Sequence, residues 1–283
     1  MTGPVPIFVI SLASATLRRA RIRAHLDALG LEYDVVDATD GRLLTEEQRR
    51  RLAPDATAMS PGAIGCYASH LEVYRRIVDR ALPFGLILED DARLNPAVVP
   101  LLKAGFAAAP FDFLFLDCEV SNSQGPVFYD ASRPAPLGHG FRCFPLSAGP
   151  ESTHALAITA DAARRRLACA LPMRQPIDIY HHLPESFRFA AMVRPKGAFL
   201  SEDSLVSFTS AREMRDNRPR FAALRRLAVV RRMREFADPR LWRDRATARQ
   251  WLREGRLSAD ADWRPLPAGR VILEISGAPL DQR

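Results

Sequence analysis

Three consecutive carboxylates, Glu89, Asp90 and Asp91, follow directly on the short apolar run Phe84–Leu88. Five mostly apolar residues predict a strand that is buried on both faces, as in a parallel sheet. The acids then lie at the carboxyl end of the strand, where open α/β sheets bind their ligands. Adjacent like charges raise one another's pKa, a cost that a bound Mg²⁺ or Mn²⁺ would offset. The pattern therefore indicates a divalent-metal site, and the alternative is a solvated turn before a helix at Asn95.

A second group of polar and small residues lies in the segment Ser60–His70. Gly62 and Gly65 stand at a predicted helix start, where bare backbone N–H groups can approach a phosphate closely. Ser69 and His70 follow two to three turns later. Taken alone, the pattern favours a hydrogen-bonded helix histidine at position 70 and a small buried hydrophobe at Cys66.

The elements that position these residues begin with a strand, helix, strand unit. Residues Ile7–Leu12 predict a buried strand, Ser14 is the expected N-cap of a helix to about Leu29, and Gly30 has the usual C-terminal position. Residues Leu31–Val36 predict a second strand. This order at close spacing is typical of a βαβ unit and predicts an α/β fold.

The same alternation continues along the chain. Thr45 and Gln48 have capping-box spacing, and the other predicted elements are a helix from Ser60-Pro61 to about Arg80, a helix from Asn95-Pro96 to about Ala108, a strand over Asp112–Asp117, a strand over His154–Thr159, a helix over Asp161–Leu171 and a last strand over Arg188–Val193. The Gly-, Pro- and Ser-rich stretch Glu119–Ser152 predicts a long loop near the site. Pro176 is expected to lead into a short helix that carries Asp178.

Length and composition indicate a globular protein with one large domain and an appendage. The chain has 283 residues, of which 47% are hydrophobic and 26% charged. No apolar run reaches the eighteen or so residues that cross a bilayer, and Arg18 and Arg19 follow the apolar stretch at Val5–Leu12 instead of preceding it as in a secretory signal. A cytoplasmic location is expected. The four cysteines contain no CxxC pair, which argues against a structural zinc site and a disulfide framework.

Positive charge is concentrated near the carboxyl end of the chain. The segment Arg212–Arg256 has fifteen arginines and six acids, whereas the whole chain has a net charge of +7. Such a segment suits nucleic acid, anionic lipid headgroups or an acidic acceptor. With only two lysines in the chain, the arginine excess also fits a general preference for arginine. We expect a catalytic domain over residues 1–210 and a basic, mainly helical extension over residues 211–283, with a helix over Pro219–Phe236.

The pattern GxIGCxxSHxxxYxxI over residues 62–77, followed by LEDDA at residues 88–92, resembles glycosyltransferase family 25. These are lipooligosaccharide-type sugar transferases related to the collagen galactosyltransferases. The resemblance extends from about Ile7 to Ser207, with further matches at Val9–Leu12 and Arg18-Arg19, Asp37-Ala38 with Gly41, Pro176–Asp178 and, more weakly, Asp203-Ser204. Two positions depart from the family pattern: Ala63 replaces a usual Glu, and Leu156 replaces a common aromatic residue.

The resemblance implies a GT-A type fold, with a Rossmann-like mixed sheet flanked by helices, and the expected helical Arg-rich appendage lies outside it. It also implies inversion at the anomeric carbon, a UDP-sugar donor and a divalent cation, Mn²⁺ or Mg²⁺. Asp178 is the candidate base for the acceptor hydroxyl and His70 a second candidate catalytic residue. The residues expected to bind the nucleotide sugar are Ser11, Leu12, Arg18, Asp37, Gly65, Ser69, Glu89 and Asp90. Glu89 and Asp91 are the expected metal ligands, and His181 and His182 offer a further one.

The function implied by this resemblance is transfer of a hexose from a UDP-sugar to a saccharide acceptor. Galactose is the hexose that the family resemblance favours. Lipooligosaccharide or another lipid-linked saccharide is the favoured acceptor. The protein is expected to make peripheral contact with the anionic inner face of the cytoplasmic membrane. No nucleic-acid partner is expected. One alternative is a metal-dependent nucleotidyl or phosphoryl transferase, although the chain has no Gly-x₄-Gly-Lys-Ser/Thr loop. Another is a non-enzymatic RNA- or membrane-binding module based on the arginine-rich segment.

Overall fold

A mixed sheet flanked by helices forms the centre of the protein. The computed structural model describes residues 3–54, 59–107, 110–116, 127–130, 133–180, 183–184, 186–192, 196–200 and 272–274. The strands are β1 (Ile7–Ser11), β2 (Asp34–Asp37), β3 (Phe84–Glu89), β4 (Ala92–Leu94), β5 (Phe113–Phe115), β6 (Val127–Tyr129), β7 (Ala135–Gly138), β8 (Phe141–Pro145), β9 (Ala155–Thr159), β10 (Phe189–Ala191), β11 (Ala198–Leu200) and β12 (Ile272–Glu274). The helices are α1 (Thr16–Ala28), α2 (Glu46–Leu52), α3 (Pro61–Asp79), α4 (Val99–Ala104) and α5 (Ala160–Cys169), with a 3₁₀ turn at Pro96–Val98.

Eight strands make up the main sheet, in the order β2-β1-β3-β9-β5-β10-β8-β7. Strands β2, β1 and β3 are mutually parallel, and β9 runs antiparallel between β3 and β5. Two small pairs, β11 with β4 and β12 with β6, lie outside this sheet. The predicted mixed sheet with flanking helices is confirmed.

Helices pack on both faces of the sheet, because alternate side chains of each strand enter different cores. Phe8 and Ile10 of β1 join a core with residues of α3 and α5. Val9, between them, joins a second core with Ile22 of α1 and Leu101 of α4. Burial on both faces explains why β1 and β3 are almost continuously apolar in sequence.

Local signals specify the first helices of the chain. Thr45 and Gln48 form the predicted capping box at the start of α2, with Thr45 N–H donating to Gln48 Oε1 at 2.8 Å. Ser60 caps α3 by accepting the Ala63 N–H at 3.1 Å, as predicted. Gly30 has a φ of 60° after α1, which is the left-handed conformation expected of it. The predicted cap at Ser14 is wrong, because Ala15 is the N-cap and makes no side-chain cap.

Three other sequence predictions differ from the structure. The predicted helix to Ala108 is a 3₁₀ turn and a short helix that ends at Ala104, because Gly105 adopts a φ of 86°. The predicted long loop over residues 119–152 contains β6 and the hairpin of β7 and β8, and it is placed by the distant pairings of β8 with β10 and of β6 with β12. Strand β10 is not the last strand, since β11 follows it and pairs with β4.

Several predicted features lie outside the described residues. They are Asp117, His181, His182, the Asp203-Ser204 match and the helix over residues 219–236. The boundary between a catalytic domain and a basic extension near residue 210 therefore stays a prediction. Within the described residues, no helix combines the length and the apolar character that a bilayer crossing requires.

Candidate active site

A cleft opens at the carboxyl ends of the adjacent parallel strands β1 and β3. Ile10 pairs with Glu89, so the residues that follow the two strands share one edge of the sheet. The cleft encloses about 650 Å³, including the open solvent at its mouth. Seven of the eleven predicted site residues line it: Ser11, Leu12, Arg18, Ser69, Glu89, Asp90 and Asp91.

Glu89, the first acid of the cluster, contacts His70 of α3 and Thr153, which precedes β9. Its Oε1 accepts a hydrogen bond from Thr153 Oγ1 at 2.5 Å and lies 3.2 Å from His70 Nε2. Burial acts to raise the pKa of Glu89, but the hydrogen bonds from His70 and Thr153 and the nearby histidine charge lower it below the ordinary value. Glu89 is therefore ionised in the cleft wall.

His70, a predicted catalytic residue, is fully buried and does not line the cleft. Its Nε2 contacts Glu89, and its Nδ1 has no hydrogen-bond partner in the described part of the chain. In this structure His70 contacts the acidic cluster through Glu89, and a catalytic role for it stays a prediction.

Asp90 is bound to the start of the chain. Its Oδ2 accepts a hydrogen bond from Ser11 Oγ at 2.7 Å, and its Oδ1 pairs with Arg18 Nη2. Burial nevertheless raises the pKa of Asp90 above its ordinary value, against the effect of Ser11 and Arg18. These contacts fix the end of β3 to the loop after β1 and orient the Arg18 guanidinium along the cleft wall.

Asp91 has one carboxylate oxygen that the described residues leave without a hydrogen bond. Oδ2 lies 3.0 Å from Arg18 Nη2, whereas the buried Oδ1 has no hydrogen-bond partner. Burial, together with the charges of Glu89 and Asp90, raises the pKa of Asp91 to about 6, and Arg18 opposes this rise. A buried acceptor with unmet charge in an acidic cleft fits the oxygen preference of Mg²⁺ and Mn²⁺. The residues at this site therefore fit a divalent cation.

Cys66, His70 and Glu89 form a second group of potential ligands, with donor atoms within 4.8 Å of one another. Burial and the charge of Glu89 raise the pKa of the Cys66 thiol well above its ordinary value. In the absence of a metal the thiol therefore stays protonated at neutral pH. The carboxylates suit a hard cation better, which favours Asp91 as the principal ligand.

Gly65 has a packing role that differs from the predicted phosphate contact. A Cβ atom at Gly65 would lie 2.3 Å from the carbonyl oxygen of Thr39 and 2.6 Å from the backbone nitrogen of Gly41. The missing side chain therefore allows the loop over residues 39–41 to pack against α3. Gly62, one turn earlier, lines the cleft, and Ser69 Oγ accepts the N–H of Thr39 at 2.9 Å. These contacts hold the loop after β2 beside the acidic cluster.

Asp37 lies at the end of β2, and its side chain is 74% exposed. Its Oδ1 pairs with Arg19 Nη2 at 2.7 Å, and the same nitrogen donates to the Ser11 carbonyl at 2.6 Å. Asp37 does not line the cleft, so the structure gives it the role of fixing Arg19 against the end of β1.

Asp178, the predicted base, lies in a turn and not in the predicted short helix. The N–H of Ile179 donates to the carbonyl of Pro176 at 3.1 Å, and no further helical turn follows in the described residues. Burial, together with the charges of Glu89 and Glu151, raises the pKa of Asp178 to about 6. The electrostatic influence of Glu89 and His70 on Asp178 places it beside the acidic cluster, although it does not line the cleft.

Sequence patterns did not identify four of the residues that line or support the cleft. Thr39, Asp40 and Arg42 come from the loop after β2, and Arg42 Nη2 pairs with Asp40 Oδ2 at 2.7 Å. Thr153 supports Glu89 from the residues that precede β9. A polar turn after a buried strand is a signal for the first three, whereas Thr153 reaches the site only because β9 is antiparallel to β3.

Family comparison matches residues 5–181 to a family described as Glycosyltransferase family 25 (LPS biosynthesis protein). The human protein named Inactive glycosyltransferase 25 family member 3 is 35% identical over 219 residues, which cover 72% of this chain and 35% of that protein. Human Procollagen galactosyltransferase 2 is 32% identical over 99 residues, which cover 31% of this chain and 16% of that protein. The aligned regions thus span well under half of the length of these relatives.

One solved structure is a glycosyltransferase involved in the glycosylation of the major capsid of PBCV-1. It aligns with 57% of this chain and 62% of its own, at 12% sequence identity and a TM-score of 0.30.

Proposed function

Because the chain belongs to glycosyltransferase family 25, we propose that it is an inverting, metal-dependent glycosyltransferase. The donor is a UDP-hexose, expected to be UDP-galactose, and the acceptor is a saccharide such as lipooligosaccharide. The observation that supports this proposal is the triple carboxylate cluster at the end of β3, with a buried Asp91 oxygen that has no hydrogen-bond partner among the described residues. A relative named as a procollagen galactosyltransferase supports the choice of sugar.

The chain supplies both a cation site and a cationic side chain for the diphosphate. Asp91, with Glu89, would hold a divalent cation, which would neutralise the negative charge that develops on the leaving nucleoside diphosphate. Arg18 lines the cleft and contacts both Asp90 and Asp91, so its guanidinium lies where a phosphate oxygen would approach the acids. His70 and Thr153 keep the Glu89 carboxylate ionised and fixed in position.

Asp178 accepts the proton of the acceptor hydroxyl in this proposal. An inverting transfer requires a base on the face of the sugar opposite the leaving group. The pKa of Asp178, raised to about 6, makes its carboxylate a stronger base than an ordinary aspartate while leaving it mainly ionised at neutral pH. Its carboxylate oxygen would take the proton as the hydroxyl oxygen attacks the anomeric carbon.

The arginine-rich segment at residues 212–256 supports a lipid-linked acceptor at an anionic membrane surface. It holds fifteen arginines against six acids. Each basic residue near an anionic leaflet contributes about 1 kcal/mol of attraction. This segment would concentrate the enzyme where a lipid-linked saccharide lies, at the inner face of the cytoplasmic membrane.

Donor hydrolysis and transfer with purified full-length protein test this function. The protein is incubated with a panel of UDP- and GDP-sugars and Mn²⁺, in parallel with an EDTA-treated sample and with the Asp91→Asn variant. Metal-dependent release of UDP from one sugar nucleotide, absent in the variant, is the expected result. Metal-dependent binding of a UDP-sugar without any turnover would instead indicate a binding protein, in line with relatives that are named as inactive. No binding of any sugar nucleotide would contradict the proposal.

A further inference from the structure

Arg166, in helix α5, is a fully buried arginine with no acidic partner among the described residues. Its side chain has no exposure to solvent. Nη2 donates a long hydrogen bond of 3.4 Å to the Tyr67 hydroxyl, and the guanidinium lies 5.6 Å from the centre of the Tyr67 ring. Nε and Nη1 are both buried and have no hydrogen-bond partner.

A buried guanidinium in this state is costly. Charged side chains are almost never fully buried unless an opposite charge pairs with them, because desolvation of the ion costs several kcal/mol. The preceding residue shows the usual solution. Arg165 pairs with Asp112 at 2.6 Å and with Asp161 at 2.9 Å. Arg166 instead faces the interface between α3 and α5, where no carboxylate of the described residues reaches it.

The tyrosines around Arg166 do not supply the missing negative charge. Burial raises the pKa of Tyr67, of Tyr74 and of Tyr180, and that of Tyr74 reaches about 12. All three hydroxyls therefore remain protonated at neutral pH. Tyr67 donates its proton to the Ala170 carbonyl at 3.2 Å, and Tyr180 donates to the Ser152 carbonyl at 3.0 Å.

Tyr74 differs from the other two tyrosines because the proton of its buried hydroxyl has no acceptor. Arg166 lies close enough to act on the pKa of Tyr74 through its charge and as a donor to the hydroxyl oxygen. Two guanidinium nitrogens of Arg166 and the Tyr74 hydroxyl are thus buried donors without an acceptor. A buried water molecule would satisfy some of these hydrogen bonds but would leave the charge uncompensated.

We propose that Arg166 and Tyr74 bind a small monovalent anion of the chloride class, buried between helices α3 and α5. The anion accepts hydrogen bonds from Nη1 of Arg166 and from the Tyr74 hydroxyl, and it compensates the guanidinium charge. The site is separate from the cleft, but its neighbour Tyr67 follows Cys66 of the cleft wall. Tyr180, on the other side, follows the Asp178 turn by two residues. Anion binding therefore stabilises the contact between the cleft wall and that turn.

Thermal unfolding of the full chain in chloride and in gluconate, at equal ionic strength and pH, tests the proposal. Gluconate is too large for a buried site of this kind. The Tm of the wild-type protein is expected to be about 2–6 °C higher in chloride, with saturation as chloride increases. The Arg166→Met variant is expected to lose this difference. In gluconate it should be at least as stable as the wild type, because replacing a buried unpaired charge by an apolar side chain of similar size removes a desolvation cost.

Arg164→Met is the matched control, since Arg164 is an exposed arginine of the same helix, and it should keep the full chloride effect. Tyr74→Phe provides a second variant if Arg166→Met does not fold. It should raise the chloride concentration at half-saturation by about tenfold, through loss of one hydrogen bond to a charged group. Equal wild-type Tm values in the two salts, or a chloride effect that survives in Arg166→Met, would overturn the proposal. Because the readout is unfolding, the result is independent of transferase activity.

Discussion

The guanidinium nitrogen Nη2 of Arg18 lies 3.0 Å from Oδ2 of Asp91, while Oδ1 of the same carboxylate has no hydrogen-bond partner among the described residues. The Arg18 guanidinium thus compensates part of the negative charge of a cluster that contains three carboxylates. The arrangement leaves a negative site at the end of β3 that a divalent cation can complete.

Asp91→Asn is expected to abolish the Mn²⁺-dependent increase in UDP affinity, because the amide keeps the shape of the side chain but removes the charge that attracts the cation. Isothermal titration calorimetry with UDP, with and without Mn²⁺, measures this effect. Asp40→Asn is the matched control, since Asp40 lines the same cleft but is paired with Arg42. Unchanged Mn²⁺-dependent UDP affinity in Asp91→Asn would contradict the assigned metal site.

Asp178→Asn is expected to lower turnover by roughly 10²- to 10⁴-fold, the usual loss when a general base is removed. Donor affinity in Mn²⁺ should barely change, because the base acts on the acceptor. The melting temperature at pH 7.5 should not fall, since the variant removes a carboxylate whose ionisation is opposed by burial. Wild-type turnover would refute the catalytic role. Loss of both UDP and Mn²⁺ binding would instead place Asp178 among the metal ligands.

Without metal, the protein is expected to become less stable as pH rises. The stabilisation by a bound divalent cation is expected to increase as pH rises. The pKa values of Asp91 and Asp178 are raised to about 6 in the folded protein, from an unfolded value near 3.8. Between these two pH values the folded state therefore binds more protons than the unfolded state. The contribution of these two carboxyl groups to metal-free stability is greatest below about pH 4. It is lost as pH rises through 6, with a slope of up to roughly 1 kcal/mol per pH unit for each group.

Divalent cations bind the deprotonated carboxylates, so the rise in Tm on adding Mn²⁺ should be small at pH 5 and larger at pH 7.5. Differential scanning fluorimetry at the two pH values measures it. In Asp91→Asn the Mn²⁺ effect should be absent at both. An equal Mn²⁺ effect at pH 5 and pH 7.5 in the wild type would show that Asp91 does not titrate as described.

Gly65→Ala should destabilise the protein, although alanine is a better helix former than glycine by about 1 kcal/mol. The added Cβ would lie 2.3 Å from the Thr39 carbonyl oxygen, which is backbone and cannot move freely. A loss of about 2 kcal/mol in unfolding free energy and weaker UDP binding are expected, because the loop over residues 39–41 lines the cleft. Chemical denaturation measures the first effect. Stabilisation by the variant would show that the loop does not pack on α3 as described.

Removal of residues 211–283 is expected to weaken association with anionic vesicles, because the excess of arginine is confined to residues 212–256. Turnover of a soluble saccharide acceptor should be retained, although the deletion also removes β12, which pairs with β6. Sedimentation with phosphatidylserine-containing vesicles and with neutral vesicles compares the two forms of the protein. Equal sedimentation of both forms would contradict the membrane contact. A truncated chain that does not fold would show that these residues belong to the catalytic domain.

Much of the fold follows from local sequence patterns. The apolar runs of β1 and β3, the capping box at Thr45 and the Ser60-Pro61 helix start are signals carried by neighbouring residues, and the structure confirms each of them. The position of the acids after β3 is local in the same sense. A parallel neighbour on one side of β3 then places Ser11 and Leu12 beside them.

The remaining features depend on contacts between distant residues. Strands β7 and β8 lie in a segment with weak periodicity, and β8 is placed in the sheet by pairing with β10, more than forty residues later. The support of Glu89 by Thr153 spans 64 residues. The burial of Arg166 likewise results from the packing of α5 against α3. Arg166 is one of three consecutive arginines, and the sequence does not indicate which of them is buried.

The antiparallel course of β9 has a consequence for how members of this family can diverge. After β5 the chain forms β7 and β8 at the far edge of the sheet and comes back to its centre at Thr153 and His154, and Glu89 N–H donates to the His154 carbonyl at 2.9 Å. The segment between β5 and β9 therefore ends beside the carboxylate cluster, whatever its length. Insertions and deletions in the loops of this segment can change the surface beside the cleft while β3, β9 and the carboxylate cluster keep their register.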